Sequence, residues 1–377
     1  MTDPAPIEGL CIERFAPVRA AFEANVTEGM ELGAGFTLVV DGEVVVDLRG
    51  GFADRGRTRP FAEDTLTPVF STTKALASLM IARLVDQGRL DYGQPVADVW
   101  PEFAQAGKGA VTVVQALSHQ AGLPGFLEPM DPALWFDWDA ICAKLAAMAP
   151  MWPPGMASGY HPVTFGYIAG EIFRRVDGRT LGTALREDVA KPLGLDLWIG
   201  LPDAEHPRVA EMERPKTLPD FGEINDARRA AFLTKWASPG GRSTADWRRA
   251  EIPSANGHCT AHSLARLMSG LACDGVLDGV ELLSPATINA ASKEQISGQD
   301  LVLPFWVNWG AGFIRSGAMG FYGPGTDAFG HSGWGGSCAF ADPFSRVAGA
   351  YVMNRQSAAL LADPRPMRLI EAAYQVL

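Results

Sequence analysis

The sequence has few of the features that mark a secreted, membrane-bound or nucleic-acid-binding protein. Its five cysteines among 377 residues (Cys11, Cys142, Cys259, Cys273 and Cys338) are an odd, scattered set with no C-x-x-C pair. That excludes a disulfide framework and predicts reduced, mostly buried thiols. No uninterrupted apolar run approaches membrane-spanning length. There is no basic run or Arg-rich face and the formal net charge is −11, which argues against nucleic acid and anionic membrane as partners. The start, Met1-Thr2-Asp3-Pro4-Ala5-Pro6, lacks the basic residues and apolar core of a signal peptide, so a cytoplasmic location is expected. No serine sits in a G-x-S-x-G elbow. Gly330-His331-Ser332-Gly333-Trp334 and Gly241-Arg242-Ser243-Thr244-Ala245 both fail at the last position, which removes the α/β-hydrolase fold. His258 and His262 are spaced i, i+4, but no glutamate completes H-E-x-x-H, and no metal is expected. Internal repeats and low-complexity tracts are absent as well.

What is present is the composition of a globular chain, 47% hydrophobic and 20% charged, long enough for two domains or one large domain with insertions. Phe36 to Val40, Asp41-Gly42 and Glu43 to Leu48 read as a β-hairpin, because Asp-Gly supplies the positive φ angles of a two-residue turn. Ser337 to Ala341 and Val347 to Met353 read as strands joined through Asp342-Pro343, so the sheet draws on both ends of the chain. Phe165 to Val176 reads as a helix ended by Asp177-Gly178. Leu264, Leu267, Met268 and Leu271 form an i, i+3, i+4, i+7 stripe with Thr260 or Ser263 as its cap. From Asp91 to about Pro154 the pattern is helical, including Ala140 to Met148. Leu201 to Ala255 shows little periodicity and reads as an insertion. The expected division is an α/β domain from 1–80, 155–210 and 285–377, with a mainly helical domain and insertion from 81–154 and 211–284.

Ser71-Thr72-Thr73-Lys74 follows the apolar Thr67-Pro68-Val69-Phe70 and precedes a helical run from Ala75 to Leu90. A serine hydroxyl is a weak nucleophile at neutral pH, so hydrolysis through a covalent intermediate needs a neighbour that takes its proton. At helical spacing, i and i+3 share a face, which brings the Lys74 amine back beside Ser71. A helix start also leaves backbone N–H groups without intrahelical partners near Ser71. An ammonium is no base, so this chemistry requires a poorly solvated Lys74 with a lowered pKa. The alternative is a capping serine followed by a solvated first-turn lysine. Leu76, Leu79, Met80, Leu84 and Val85 make the run largely apolar and Gly88 stops it, which predicts a buried helix.

Such a pair needs a further group to protonate the leaving group and activate water. Tyr160 lies on the Gly/Pro-rich stretch Pro154-Gly155-Met156-Ala157-Ser158-Gly159-Tyr160-His161-Pro162 just before a helix, where side chains are held at a lobe boundary; the alternative is a structural tyrosine at a core edge. Gly330-His331-Ser332-Gly333-Trp334-Gly335-Gly336-Ser337 precedes a strand. Its glycines allow close approach of a substrate to the backbone, and two N–H groups aimed at one oxygen make an oxyanion hole. A plain turn or bulge is the alternative there. His119 is expected to satisfy backbone groups. The aromatic residues Trp135, Phe136, Trp138, Trp152, Trp306 and Trp309 serve either as a pocket wall or as core.

In this order the three elements resemble the serine β-lactamase and penicillin-binding superfamily, most closely its family VIII carboxylesterases. Leu117-Ser118-His119-Gln120-Ala121-Gly122-Leu123, Pro153-Pro154-Gly155, Lys191-Pro192-Leu193-Gly194 and Phe340-Ala341-Asp342-Pro343 extend the resemblance from roughly Phe36 to Asn354. It implies an α+β, β-lactamase/transpeptidase-like fold: an antiparallel sheet flanked by helices, plus a mostly helical domain, with the active site between them. It also implies Ser71 as nucleophile and Lys74 and Tyr160 as the proton-transfer pair. The backbone N–H groups of Ser71 and Trp334 would be the oxyanion donors, with His331 and Gly333 in the substrate-binding turn and no cofactor.

Two departures bear on the substrate. The β-lactamase pattern Y-x-N is Tyr160-His161-Pro162, without the asparagine amide, and His331 stands where β-lactamases carry the lysine of K-T-G. A mostly neutral imidazole attracts a carboxylate less than a fixed ammonium does. The expected function is therefore a serine carboxylesterase acting on small, short-acyl, neutral esters. β-Lactamase, D-amino-acid peptidase or amidase, and acyltransferase chemistry on the same site are the alternatives within enzymes. A non-catalytic scaffold is the alternative outside them, and the presence of serine, lysine and tyrosine together argues against it.

Overall fold

In the computed structural model, which describes residues 6–239 and 244–377, Asp41 and Gly42 both take positive φ (50° and 82°). That is the two-residue turn whose twist suits a hairpin. Most of the Met1–Pro6 start and the Gly241-Arg242-Ser243 part of the failed serine elbow lie outside the described residues. The turn joins the second and third of the strands β1 (Ile7–Cys11), β2 (Gly33–Val40) and β3 (Glu43–Gly51). Six more come from the C-terminal part: β4 (Ile296–Gln299), β5 (Trp306–Trp309), β6 (Ile314–Arg315), β7 (Phe329–Ser332), β8 (Cys338–Asp342) and β9 (Val347–Met353). They form one antiparallel sheet in the order β1-β3-β2-β9-β8-β7-β6-β5-β4. The two ends of the chain meet where β9 pairs with β2, from Val347 opposite Val40 to Met353 opposite Ala34.

Six longer helices accompany the sheet: α1 (Ala16–Thr27), α2 (Thr73–Asp86), α3 (Trp138–Ala147), α4 (Thr164–Asp177), α5 (Ala261–Ala272) and α6 (Pro364–Tyr374). Alternation along the strands splits the core in two, since successive side chains point to opposite faces. Phe36, Leu38, Phe340 and Tyr351 join Phe22, Leu369 and Ile370 of α1 and α6. Val39, Ala339, Ala341, Ala348 and Ala350 join α5 and α2. The second face is rich in alanine, which lets α5 lie close against β2, β8 and β9. The sequence division grouped 211–284 with the helical part; α5, with its stripe of Leu264, Leu267, Met268 and Leu271 buried, packs on the sheet instead. Thr260 caps it by accepting from the Ser263 N–H at 3.1 Å.

Residues 73–82 of α2 are all buried, and the helix packs on α4 and β7. It is covered all round, which is why its apolar residues show no single stripe. Gly88 (φ 66°) and Gly178 (φ 93°) follow the ends of α2 and α4 with the left-handed backbone that terminates a helix. All five cysteines are free thiols. Among the described residues no helix is long and apolar enough to cross a membrane.

Candidate active site

The turn that carries Ser71 is strained and tightly held. Phe70, a bulky residue, has φ 47°, a conformation that persists only where its surroundings impose it. The Val69 N–H donates to the Gly257 carbonyl at 2.9 Å. The Val69 carbonyl accepts from Ser337 Oγ at 2.8 Å, and the Thr73 hydroxyl donates to the Phe70 carbonyl. The Phe70 ring packs against Trp247 and Trp334. Ser71 sits in this 3₁₀ turn, Phe70–Thr72, two residues before α2 begins. It is not an ordinary side-chain cap of the helix.

Lys74 is 0% exposed. Its Nζ lies 2.8 Å from the Pro162 carbonyl, 3.0 Å from the Ser254 carbonyl and 3.3 Å from Ser71 Oγ. Burial pushes its pKa well below the ordinary lysine value, and no carboxylate counters that effect. A neutral amine has two N–H bonds and one lone pair. The two carbonyls take the N–H groups, which leaves the lone pair for the Ser71 hydroxyl.

Tyr160 completes the cluster. Its hydroxyl is hydrogen-bonded to the Ser71 side chain, and burial raises its pKa, with Asp300 adding to the rise. The Lys74 Nζ is 4.7 Å from the centre of its ring. On the other side the ring stacks on Trp309 at 5.8 Å and 5°. The loop is fixed from below by Asp300, a buried carboxylate that accepts from Ser158 Oγ (3.0 Å), the Tyr160 N–H (2.9 Å), the Val302 and Leu303 N–H groups (2.9 and 2.8 Å) and Trp309 Nε1 (3.2 Å). Gly159 is required because a Cβ there would come within 2.4 Å of the Trp152 ring.

Two histidines brace the same loop. His161 Nε2 accepts from the Leu123 N–H at 2.8 Å, so its proton is on Nδ1, 3.3 Å from His119 Nδ1. His119 Nδ1 also accepts the His161 backbone N–H at 3.1 Å. That fixes the neutral His119 tautomer with its proton on Nε2, among the rings of Tyr160, Phe165 and Trp309. His119 thus satisfies backbone, as expected. Burial lowers the pKa of both rings, that of His161 to about 3.

His331, at the end of β7, is buried, and its Nδ1–H donates to the Ser332 carbonyl at 2.8 Å. Burial holds its pKa well below the ordinary histidine value. It is a neutral ring. After it, the Gly333-to-Ser337 turn is pinned on two sides. Ser337 Oγ, besides donating to Val69, lies 3.0 Å from Thr72 Oγ1, which ties this turn to the one carrying Ser71. From behind, Arg365 donates to the Gly335 carbonyl at 2.6 Å and Gln356 Nε2 to the Trp334 carbonyl at 3.2 Å. Arg365 is itself buried between Glu31 and Asp363. A Cβ on Gly336 would meet Arg365 at 2.6 Å.

A cavity of about 300 Å³ opens over Ser71, Tyr160, His331 and Trp334. A match to the Beta-lactamase family model spans residues 19–374. The chain belongs to the beta-lactamase family. This beta-lactamase-family chain is 36% identical over 365 residues to "Esterase/beta-lactamase LipL" of Mycobacterium tuberculosis, covering 92% of this chain and 82% of that protein. Among solved structures it is similar to a family VIII carboxylesterase, with 46% identity, TM-score 0.92 and coverage of 99% and 100%. It is also similar to a novel penicillin-binding protein homolog from Caulobacter crescentus, with 67% identity, TM-score 0.97 and coverage of 99% and 100%.

Of the residues singled out in the sequence, the beta-lactamase-family fold brings Ser71, Lys74, Tyr160, His331, Gly333 and Trp334 together. The aromatic residues near 135 to 152 do not wall the cavity. Trp135 and Trp138 pack on Tyr167 in the helical core, and Trp152 lies beneath Gly159. Trp309 supports Tyr160 from behind, and Trp306 is exposed. The wall is instead built from Phe70, Trp247 and the stretch from Leu218 to Pro239, part of the segment read as an insertion. His262 bonds Asp47 at 2.9 Å while His258 packs on Trp247, so the two histidines turn to different neighbours. Asp300, Ser337 and Arg365 were not legible as site residues. Asp300 lies 140 residues from Tyr160, Ser337 265 from Thr72, and no local pattern marks such pairings.

Proposed function

We propose that this protein is a serine carboxylesterase that cleaves small neutral esters through an acyl-enzyme on Ser71. The observation that carries the reading is the buried Lys74 amine, whose Nζ lies within hydrogen-bond distance of two carbonyls and 3.3 Å from the Ser71 oxygen; in its neutral form the carbonyls take both N–H groups and the lone pair faces Ser71. Lys74 takes the Ser71 proton as Oγ bonds to the ester carbonyl carbon, and the carbonyl π pair moves onto oxygen. The N–H groups of Ser71 and Trp334 receive that oxyanion. When the intermediate collapses, the C–O bond to the alcohol breaks and Tyr160 gives the alkoxide its proton, Lys74 returning the proton taken from Ser71 to Tyr160. Water then attacks the acyl-enzyme, losing its proton to the same pair, and Ser71 leaves with a proton restored. The raised pKa of Tyr160 suits this, since it keeps the phenol protonated until an alkoxide forms.

The esterase names of two of the similar proteins agree with this reading. The 67% identical protein is named instead for penicillin binding. Against a β-lactam here stand the neutral His331 and Pro162, where a lysine and an asparagine would serve a carboxylate and an amide. The described cavity wall also contains no Lys, Arg, Asp or Glu.

The test is wild type and Ser71→Ala against p-nitrophenyl esters of increasing acyl length, with nitrocefin alongside and a phosphonate probe for labelling. Ester turnover that falls on the order of 10⁴-fold in Ser71→Ala, with little nitrocefin cleavage, is the expected result. Dominant nitrocefin turnover would replace this reading with a β-lactamase. Activity on neither, with no phosphonate labelling, would replace it with a scaffold.

A further inference from the structure

The cavity over Ser71 has two aromatic groups in its wall. Phe70, Trp247 and Trp334 stand on the side of the Ser71 turn, the Phe70 ring lying 6.3 Å from Trp247 and 6.2 Å from Trp334. Phe232 and Phe221 stand on the side of Tyr160. Phe232 is 6.5 Å from the Tyr160 ring and 5.0 Å from Phe221. Both phenylalanines are only half-buried, so each has ring surface left to cover. Their segment is fastened to the Tyr160 loop. Asn225 Nδ2 donates to the Leu301 carbonyl at 2.9 Å and Arg228 Nε to the Val302 carbonyl at 3.0 Å. Asp300 in turn holds the Val302, Leu303 and Tyr160 N–H groups.

The esterase reading above then decides which half of the ester meets which wall. A group that protonates a departing oxygen must lie within hydrogen-bond reach of it. The alcohol half is therefore at Tyr160, beside Phe232 and Phe221, and the acyl half is on the side of Phe70 and Trp247. We infer that the alcohol half of the substrate is a bulky, uncharged aryl-alkyl group seated against Phe232 and Phe221, and that this pair sets the specificity for the alcohol.

Size, charge and chemistry agree. At about 30 Å³ for each water-sized group, the cavity holds roughly ten non-hydrogen atoms, more than an acetyl and a small alcohol need. With no charged side chain in the described wall, a charged alcohol would lose its hydration without a partner. An aromatic ring gains edge and face contacts from a phenylalanine pair as well as apolar burial.

The experiment compares two matched series on the purified enzyme. One holds the acyl group as acetate and lengthens the alcohol: ethyl, hexyl and phenethyl acetate, whose alcohols have similar acidity. The other holds ethanol and lengthens the acyl group: acetate, butanoate and octanoate. The expected result is a rise in kcat/KM of about tenfold or more from ethyl to phenethyl acetate, larger than the rise from ethyl acetate to ethyl octanoate. Phe232→Ala should lower the ratio of phenethyl to ethyl acetate by about tenfold while the octanoate-to-acetate ratio stays the same. Phe221→Ala is the second variant and should move the same ratio in the same direction. Phenethyl alcohol should inhibit the wild type competitively and both variants more weakly. A gain that follows acyl length, or alcohol ratios unchanged in both variants, overturns the inference while leaving the esterase reading intact. Turnover of no ester in either series by folded wild type overturns both.

Discussion

The turn that carries Ser71 and the stretch from Leu218 to Pro239 face each other across one cavity and are built on opposite principles. Around Ser71 the polar groups are held by buried partners: Val69, Thr72 and Lys74 are each bonded to segments far away in the chain. Across the cavity the chain has one short helical stretch, 226–233, set between loops, and Leu218 is 79% exposed. Its ties to the rest pass through a few side chains such as Asn225 and Arg228. In the proposed esterase the difference is a division of labour. Chemistry would sit where the backbone has no freedom, because a proton transfer tolerates little displacement. Recognition would sit where apolar surface is left uncovered for a ligand to cover.

The largest effects should come from the rigid side. Lys74→Ala is expected to lower kcat on the order of 10³-fold and Tyr160→Phe about 10²-fold, with circular dichroism unchanged. Near-normal turnover in either variant would remove the role assigned to that residue.

The buried lysine should also show in stability. In the unfolded chain Lys74 is protonated up to its ordinary pKa, whereas in the folded protein it is neutral down to a lowered one. Between the two values the unfolded state binds one more proton, so stability rises with pH, by at most about 1.4 kcal/mol per pH unit. Denaturation of wild type and Lys74→Met from roughly pH 6 to roughly pH 10 should therefore give a flatter profile in the variant. Equal slopes would mean that the folded lysine is charged.

Ser337→Ala tests whether the tie between the two turns matters for rate. It removes the donor to Val69 and the partner of Thr72. A fall in kcat of about tenfold with KM nearly unchanged is expected, as for donors misplaced toward a transition state. A change confined to KM would assign Ser337 to binding.

In stability rather than rate, Asp300→Asn should cost about 1–3 kcal/mol in urea denaturation, because the amide that replaces one oxygen cannot accept from Ser158 and Trp309. At the far end of the scale, Leu218→Ser should leave stability within about 0.5 kcal/mol. A large loss there would mean that the recognition side is as tightly built as the catalytic one.

Much of this was legible locally. The Asp41-Gly42 turn, the strands near the C-terminus, the Gly88 and Gly178 stops and the Thr260 cap each depend on residues within a few positions of one another. The Ser71-to-Lys74 spacing is legible for the same reason. The use of the tryptophans was not: Trp135 and Trp247 are both buried aromatics, and only the packing of distant segments makes one core and the other cavity wall. Nor was the place of α5, whose apolar stripe fits a sheet as well as a helical lobe.

By itself, then, the sequence determined the periodicities, the turns and the order of serine, lysine, tyrosine and glycine-rich turn, because these rest on backbone geometry and near neighbours. Only the tertiary structure decided that Lys74 loses its water, that Asp300 takes five donors under Tyr160, and that Ser337 joins the two turns. Desolvation and hydrogen bonding between residues more than a hundred positions apart depend on which surfaces meet, and that is set by the packing of the whole chain.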